Sequence, residues 1–258
     1  MSPVVNCTII IPCFNAWDYA KACVDSLLPT LRDTDELVLV NDGSTERSPH
    51  LMLVSAMTPR YTYVKHGANR GFAVACNSGA ALADSGILIF LNSDTILFDG
   101  WLDDILEAFD DPDVGAVGPM SNWVSGRQQV SVNAWRVPND DGLAYGADAY
   151  MTAHEGEYER TERLVGFCLA VRASAFREVG GFDEGYEVGG CEDDDLCQKL
   201  LAAGYKLLIA HGSFVYHHGH ATFDANGIDY AEREQINQVR FMQKWGMSTM
   251  AKIENEAA

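Results

Sequence analysis

The 258 residues carry a formal net charge of -19, and 47% of them are hydrophobic. A chain this apolar can bury a sizeable core, which excludes global disorder. Its acidity repels polyanions, so neither nucleic acid nor an anionic bilayer is expected as a partner of the general surface.

The length allows one large α/β domain or two small ones. Seven cysteines (Cys7, Cys13, Cys23, Cys76, Cys168, Cys191 and Cys197) are scattered without a CxxC pair. This argues against a zinc ribbon or a thioredoxin-like site, and buried reduced thiols in a cytoplasmic protein are the simplest reading. No basic stretch followed by a long apolar run opens the chain, and no apolar run of about 18 residues occurs in it. Neither a signal peptide nor a transmembrane helix is therefore expected.

An apolar, β-branched run at 7–12 reads as a first strand, and 18–28 follows with helical spacing at Tyr19, Cys23 and Leu27. A second strand at 37–40 ends in Asn41-Asp42-Gly43-Ser44, whose Asx and Gly chemistry favours a turn. Residues 48–57 read as a helix and 61–64 as a third strand. The turn Asn69-Arg70-Gly71 leads into a small-residue helix at 72–83. A fourth strand at 87–91 runs into Asn92-Ser93-Asp94, with a helix at 101–109 and a strand at 114–117 beyond it. This alternation implies an α/β fold, a mostly parallel sheet with helices on both faces. Ligands of such sheets bind at the carboxyl ends of the strands, where Pro12, Asp42, Asn69 and Asp94 fall.

Residues 121–163 are rich in Gly, Asn, Asp and Ser and read as a long loop with little regular structure. A strand resumes at 164–172, followed by a short helix at 173–179 and the turn Gly180-Gly181-Phe182-Asp183. A helix at 193–203 is closed by Gly204, a strand region covers 206–216, and a last helix covers 230–245. No repeat or linker interrupts the chain, which favours a single domain over 1–258.

Three segments could carry chemistry. Asn92-Ser93-Asp94 either closes its strand as an Asx turn or presents a carboxylate to a hard divalent cation. His217-His218-Gly219-His220 also follows a strand, and imidazole suits manganese or zinc. No HExxH pattern supports a protein-only zinc site. Glu192-Asp193-Asp194-Asp195 opens a helix, where acidic residues are favoured by the dipole. Four in a row exceeds what capping needs, and one of them could act as a general base. Gly189-Gly190 would let the backbone approach a ligand closely. Asp42 could accept a hydrogen bond from a nucleobase imide, Arg70 could offset phosphate charge, and Asn69 and Asn77 could order the neighbouring loop and helix. P-loop and dinucleotide fingerprints are absent.

These segments, in this order, resemble the family-two inverting glycosyltransferases, which have the GT-A fold. The resemblance runs from about Cys7 to about Thr222. Thr8 to Asn15 resembles the opening strand and its turn, Leu39 to Thr45 the base-binding segment, and Asn69-Arg70-Gly71-Phe72-Ala73 with Asn77 the next donor element. Leu91-Asn92-Ser93-Asp94 occupies the DXD position, with Asn replacing the first Asp. Gly180 to Glu184 leading to Glu192 to Cys197 is similar to the acceptor-side acidic motif, and Tyr216-His217 to the late His position.

The resemblance implies donor contacts from Pro12, Phe14, Asn15, Asp42, Asn69, Arg70, Asn77, Asn92, Ser93 and Asp94. It implies acceptor contacts from Gly166, Glu192 and Asp194, a catalytic base in Asp193, and Mn2+ or Mg2+ held by Asp94 and His217. Residues 1–118 would then form the nucleotide-sugar half, 119–222 the acceptor half, and 223–258 a helical tail. The expected donor is a UDP- or dTDP-sugar, and the acceptor a saccharide, a lipid-linked glycan or a protein. Trp123, Trp135 and Tyr145 could stack on a sugar ring. A glycoside hydrolase, which also uses paired carboxylates, and a non-catalytic nucleotide-sugar-binding module are the rival readings.

Overall fold

The computed structural model describes residues 6–46, 58, 60–132, 141–186, 189–219, 225–227 and 230–247. Its first half runs β1 (Cys7–Cys13), α1 (Trp17–Leu27), β2 (Glu36–Asn41), β3 (Tyr61–Lys65), α2 (Phe72–Ala80), β4 (Ile87–Leu91), the short β5 (Thr95–Ile96), α3 (Asp103–Glu107) and β6 (Val114–Met120). Its second half runs α4 (Asp141–Ala153), β7 (Tyr158–Thr161), β8 (Cys168–Arg172), α5 (Ala173–Glu178), α6 (Glu192–Ala202), β9 (Lys206–Phe214), the short β10 (Tyr216–His217) and α7 (Tyr230–Trp245). The helix expected at 48–57 lies outside the described residues.

One eight-stranded sheet carries the fold, in the order β3-β2-β1-β4-β8-β6-β9-β7. β1 pairs in parallel with β2 and β4, β2 with β3, and β6 with β9. β8 is inserted antiparallel between β4 and β6, and β7 runs antiparallel along β9. Continuous apolar runs such as Ile87–Leu91 are buried along their whole length, as expected of strands covered on both faces. The small residues of α2 let it press onto β1. A Cβ at Gly79 would fall 2.4 Å from Ile10 Cγ2, so no larger residue fits that crossing.

The stretch 121–163 is not a structureless loop. It contains α4 and the edge strand β7. Its Gly, Asn and Asp content signals turns, but Leu143, Ala147, Tyr150 and Met151 stand at helical spacing. Ala147 and Met151 are buried, and Tyr150 packs against the core. The strand expected from 164 begins only at Cys168. The preceding N–H groups are engaged elsewhere: Leu164 donates to Cys197 Sγ, Val165 to Gln128 Oε1 and Gly166 to Asp193 Oδ2. A segment bonded to a helix and a loop in this way cannot join a ladder. Gly204 does close α6, at φ +93. Tyr205 N donates to Leu200 O and Gly204 N to Leu201 O, the paired bonds of a Schellman motif.

Candidate functional site

The carboxyl end of β4 and the β5–β10 ribbon make one corner. β4 delivers Asn92 and Asp94, and antiparallel pairing sets His217 opposite Thr95. His217 Nε2 lies 3.3 Å from Asp94 Oδ1 and 3.5 Å from Asn92 Nδ2. Both Asp94 and His217 are buried. His218 N donates to Asp94 O, and Asn122 brackets the His217 peptide, accepting from its N–H at 2.8 Å and donating to its carbonyl at 3.0 Å.

His217 Nδ1 lies 2.9 Å from Trp123 O, a group that can only accept, so Nδ1 carries the proton. In the neutral ring, Nε2 then turns a lone pair towards the Asp94 carboxylate. Two acceptors at 3.3 Å call for a cation or a proton between them. One oxygen and one imidazole nitrogen suit manganese, and the Nδ1 bond to a carbonyl is the usual support of a ligating His. The residues therefore fit a divalent cation. Among the described residues no cluster of three or more His, Cys, Asp or Glu forms a closed metal cage. A cation here would need further ligands from a substrate.

The second corner is the start of α6, where the four acidic side chains have four different environments. Asp194 is buried, and its Oδ1 accepts from Arg163 Nε at 2.6 Å. Asp195 is wholly buried and accepts from Lys244 Nζ at 3.0 Å, Trp245 Nε1 at 2.9 Å and Tyr186 OH at 3.3 Å. Lys199 completes its surroundings at 3.4 Å. Glu192 is buried with its Oε2 unpartnered, and burial together with the neighbouring Asp193 pushes its carboxyl up to about 8.

Asp193 alone of the four is half-buried rather than buried. Its Oδ2 accepts from Gly166 N at 2.7 Å and its Oδ1 from Asp194 N at 2.9 Å. These bonds aim the carboxylate and leave it lone pairs for a further partner. Cys191 caps α6 at φ +68, a strained setting for a non-glycine residue.

The two corners share a peptide. Phe167, next to Gly166, stacks on the His217 ring at 5.2 Å between centroids, and its carbonyl accepts from Asn92 N at 2.8 Å. A Cβ at Gly166 would lie 3.0 Å from Asp193 Cβ and 3.1 Å from its Oδ2. Gly166→Ala should therefore turn Asp193 away and lower kcat about tenfold or more, with donor KM little changed. Steady-state kinetics beside the parent chain reads this.

Glu192 makes stability depend on pH. A carboxyl raised in the folded state adds stability that is fully present below its ordinary 4.5 and is lost as pH rises towards about 8. Thermal unfolding across that window should fall more steeply for the parent than for Glu192→Gln. Equal slopes would remove Glu192 as the cause.

Of the residues expected on the donor side, Pro12, Phe14, Asn15 and Asp42 lie at the ends of β1 and β2, Asn69 and Arg70 just before α2, Asn77 on α2, and Asn92, Ser93 and Asp94 after β4. Asn15 and Ala16 both lie at positive φ, 49° and 50°. Asn15 Oδ1 accepts from Thr45 N and Glu46 N, and its Nδ2 donates to Asn226 Oδ1. Asn226 also reaches the Phe14 carbonyl. Asp42 accepts from Arg70 N and Gly71 N and lies 2.7 Å from His66 Nδ1, so it ties β2 to the Asn69 turn. Asn69 Oδ1 accepts from Gly71 N, and the Arg70 side chain is exposed. Asn77 exchanges two bonds with Phe182 and so orders the turn ahead of the acidic motif. Pro12 is half-buried at the end of β1, and Ser93 is buried beside Asp94.

Arg163, Gln128, Phe167, Asn122, His66, Lys244 and Trp245 support the site without any sequence signal of their own. The nearest hint was that Arg163 and Lys244 are cations in a strongly acidic chain. Lys244→Met should cost about 1.5–3 kcal/mol, because it withdraws one charged donor from wholly buried Asp195 while Lys199 remains. Urea unfolding measures this.

The eight-stranded sheet, with helices packed on it and polar turns at the ends of β1, β2 and β4, has the architecture of a GT-A-type domain. The sequence pattern of glycosyl transferase family 2 matches residues 8–180, and the chain belongs to that family. A pattern described as the N-terminal domain of galactosyltransferase matches residues 150–221, which include the acidic motif.

An N-acetylglucosaminyl-diphospho-decaprenol L-rhamnosyltransferase of Mycobacterium tuberculosis is 33% identical over 213 residues, 72% of this chain and 67% of that protein. An O-antigen biosynthesis protein of Myxococcus xanthus is 27% identical over 87% of this chain, which spans only 18% of that protein. A pre-mycofactocin glycosyltransferase of Mycobacterium tuberculosis is 31% identical over 79% of this chain and 42% of its own length. Among solved structures, GalNAc-T7 with UDP, GalNAc and Mn2+ superposes with a TM-score of 0.67 at 17% identity, over 84% of this chain and 44% of that one. A mannosyltransferase from Pyrobaculum calidifontis with GDP-Man and Mn2+ gives 0.64 at 20% identity, over 91% and 64%. Both share the fold. Among the described residues no helix is long and apolar enough to cross a membrane.

Proposed function

We propose that this chain is the catalytic domain of an inverting glycosyltransferase that moves a sugar from a nucleoside-diphosphate donor to an acceptor hydroxyl. The observation that carries this reading is the division of labour in the acidic run. Asp194 and Asp195 are ion-paired, whereas Asp193 is aimed by two backbone N–H groups and stays accessible. Asp193 takes the acceptor hydroxyl proton, the acceptor oxygen forms a bond to the anomeric carbon, and the bond to the diphosphate oxygen breaks on the opposite face. The leaving nucleoside diphosphate keeps that electron pair.

Asp94 and His217 would hold Mn2+ or Mg2+, with Asn92 alongside. Such a cation supplies Lewis-acid neutralisation of the leaving group. Residues 1–118 bind the donor, 119–222 the acceptor, and 223–258 form the tail. Pro12, Phe14, Asn15 and Asp42 frame the nucleobase, with UDP or dTDP favoured by the Asp42 position. The relatives named for rhamnosyl transfer and O-antigen biosynthesis favour polysaccharide biosynthesis in the cytoplasm, with a saccharide, lipid-linked or protein acceptor.

Calorimetry with UDP, dTDP and GDP in the presence of manganese tests the donor. Binding of one of them, with release of nucleoside diphosphate from its sugar ester, is the expected result. No binding to any would remove the transferase reading and favour a hydrolase.

A further inference from the structure

We propose that the indole of Trp123 is a stacking platform for a pyranose ring of the acceptor, set beside the Asp94–His217 pair. The proposal rests on the transferase reading above. Among the described tryptophans, Trp101 is fully buried and Trp17 and Trp245 are partly buried, whereas Trp123 is 43% exposed. A single exposed aromatic is ordinary on a protein surface. What sets Trp123 apart is how firmly it is held. Its carbonyl accepts the Nδ1 proton of His217, and the preceding Asn122 bonds both ends of the His217 peptide.

The indole is also backed by bare main chain. Gly219 lies at φ +75, and a Cβ there would fall 2.3 Å from Trp123 Cε3, so the chain after β10 can close on the ring only with glycine. The His217 ring meets the indole edge-to-face at 5.7 Å. An indole packed on glycine and braced by a histidine, yet left this exposed, presents a rigid apolar surface that costs little entropy to use.

Its position assigns the ligand. Trp123 follows β6, on the acceptor side of the sheet order rather than at the β1 and β2 ends. Two residues further on, Ser125 Oγ accepts from Arg163 Nη1, whose guanidinium pairs with Asp194. The 121–125 loop thus reaches from His217 to the acidic helix, the span an acceptor must occupy to offer a hydroxyl to Asp193. A pyranose has a C–H face that packs on an indole and a rim of hydroxyls that does not need a charged partner. It therefore suits an uncharged ring surface in a chain of net charge -19.

The test uses the full chain with Mn2+ and the nucleotide that binds it. The probes are octyl β-glucoside, octyl β-galactoside and octyl N-acetyl-β-glucosaminide. The Trp123 indole N–H resonance is identified by its loss in Trp123→Phe and followed as each probe is added. At least one probe should shift it saturably. Trp123→Ala should raise the KM for that probe as acceptor by about fivefold or more, with donor KM within about twofold, and Trp123→Phe should keep most of the affinity.

An indole resonance that no probe moves, or an unchanged acceptor KM in Trp123→Ala, overturns the proposal. A raised donor KM with unchanged acceptor KM would assign the indole to the nucleotide and overturn it equally. Failure of the transferase reading is separately visible, as absence of nucleoside diphosphate release from any donor while the resonance remains readable.

Discussion

Asp193→Asn is expected to lower kcat by about 10²–10⁴-fold while leaving nucleotide affinity near that of the parent, because a general base contributes on that scale and does not hold the donor. Asparagine keeps the size of the side chain and can still accept from Gly166 N–H, so the fold should survive. Asp194→Asn should act differently. It leaves the mostly buried Arg163 without its carboxylate, and the main loss should be stability, read by denaturant unfolding. Burial alone would favour neutral Arg163, but the Asp194 and Asp193 carboxylates beside it outweigh that and hold its guanidinium above its ordinary range, so it stays charged. Near-parent turnover in Asp193→Asn with none in folded Asp194→Asn would reverse the assignment of the base.

The second large effect is expected at Asp94. Asp94→Asn should weaken Mn2+ binding, measured with nucleoside diphosphate present, by about 10²-fold or more, since even the outer supports of metal ligands are worth about 10–100-fold. His217→Ala should weaken it in the same direction. Asn92→Ala should cost far less, because Asn92 offers no charge and its side chain only approaches His217, at 3.5 Å. Paramagnetic titration of Mn2+ reads this independently of turnover. Full activity after exhaustive treatment with EDTA would remove the metal role from both residues.

Much of this was legible along the chain. Apolar runs such as Ile87–Leu91, each followed by a polar turn, announce covered strands whose ends carry polar residues. The order of those turns is what resembles family two. Composition misled at 121–163, where Gly and Asp hid the helical spacing of α4, and at 164, where apolar residues suggested a strand although their N–H groups are bonded elsewhere.

The sequence by itself determined the strands β1 to β4 and β6, where the carboxylates cluster, and which turns lie at those strand ends, because burial and turn chemistry are local and periodic. Residue type and spacing left Asp193 and Asp194, and His217 and His218, as equal neighbours, and only the family resemblance preferred Asp193 and His217. The tertiary structure separates them through partners far away in the chain. Arg163 lies 31 residues from Asp194, Gly166 lies 27 from Asp193 and Lys244 lies 49 from Asp195. The ribbon of β5 and β10 turns His217 towards Asp94, while His218 points its ring to Tyr19 and Tyr216. A side chain's hydrogen-bond partner depends on what the fold brings within about 3 Å, and no local pattern encodes that.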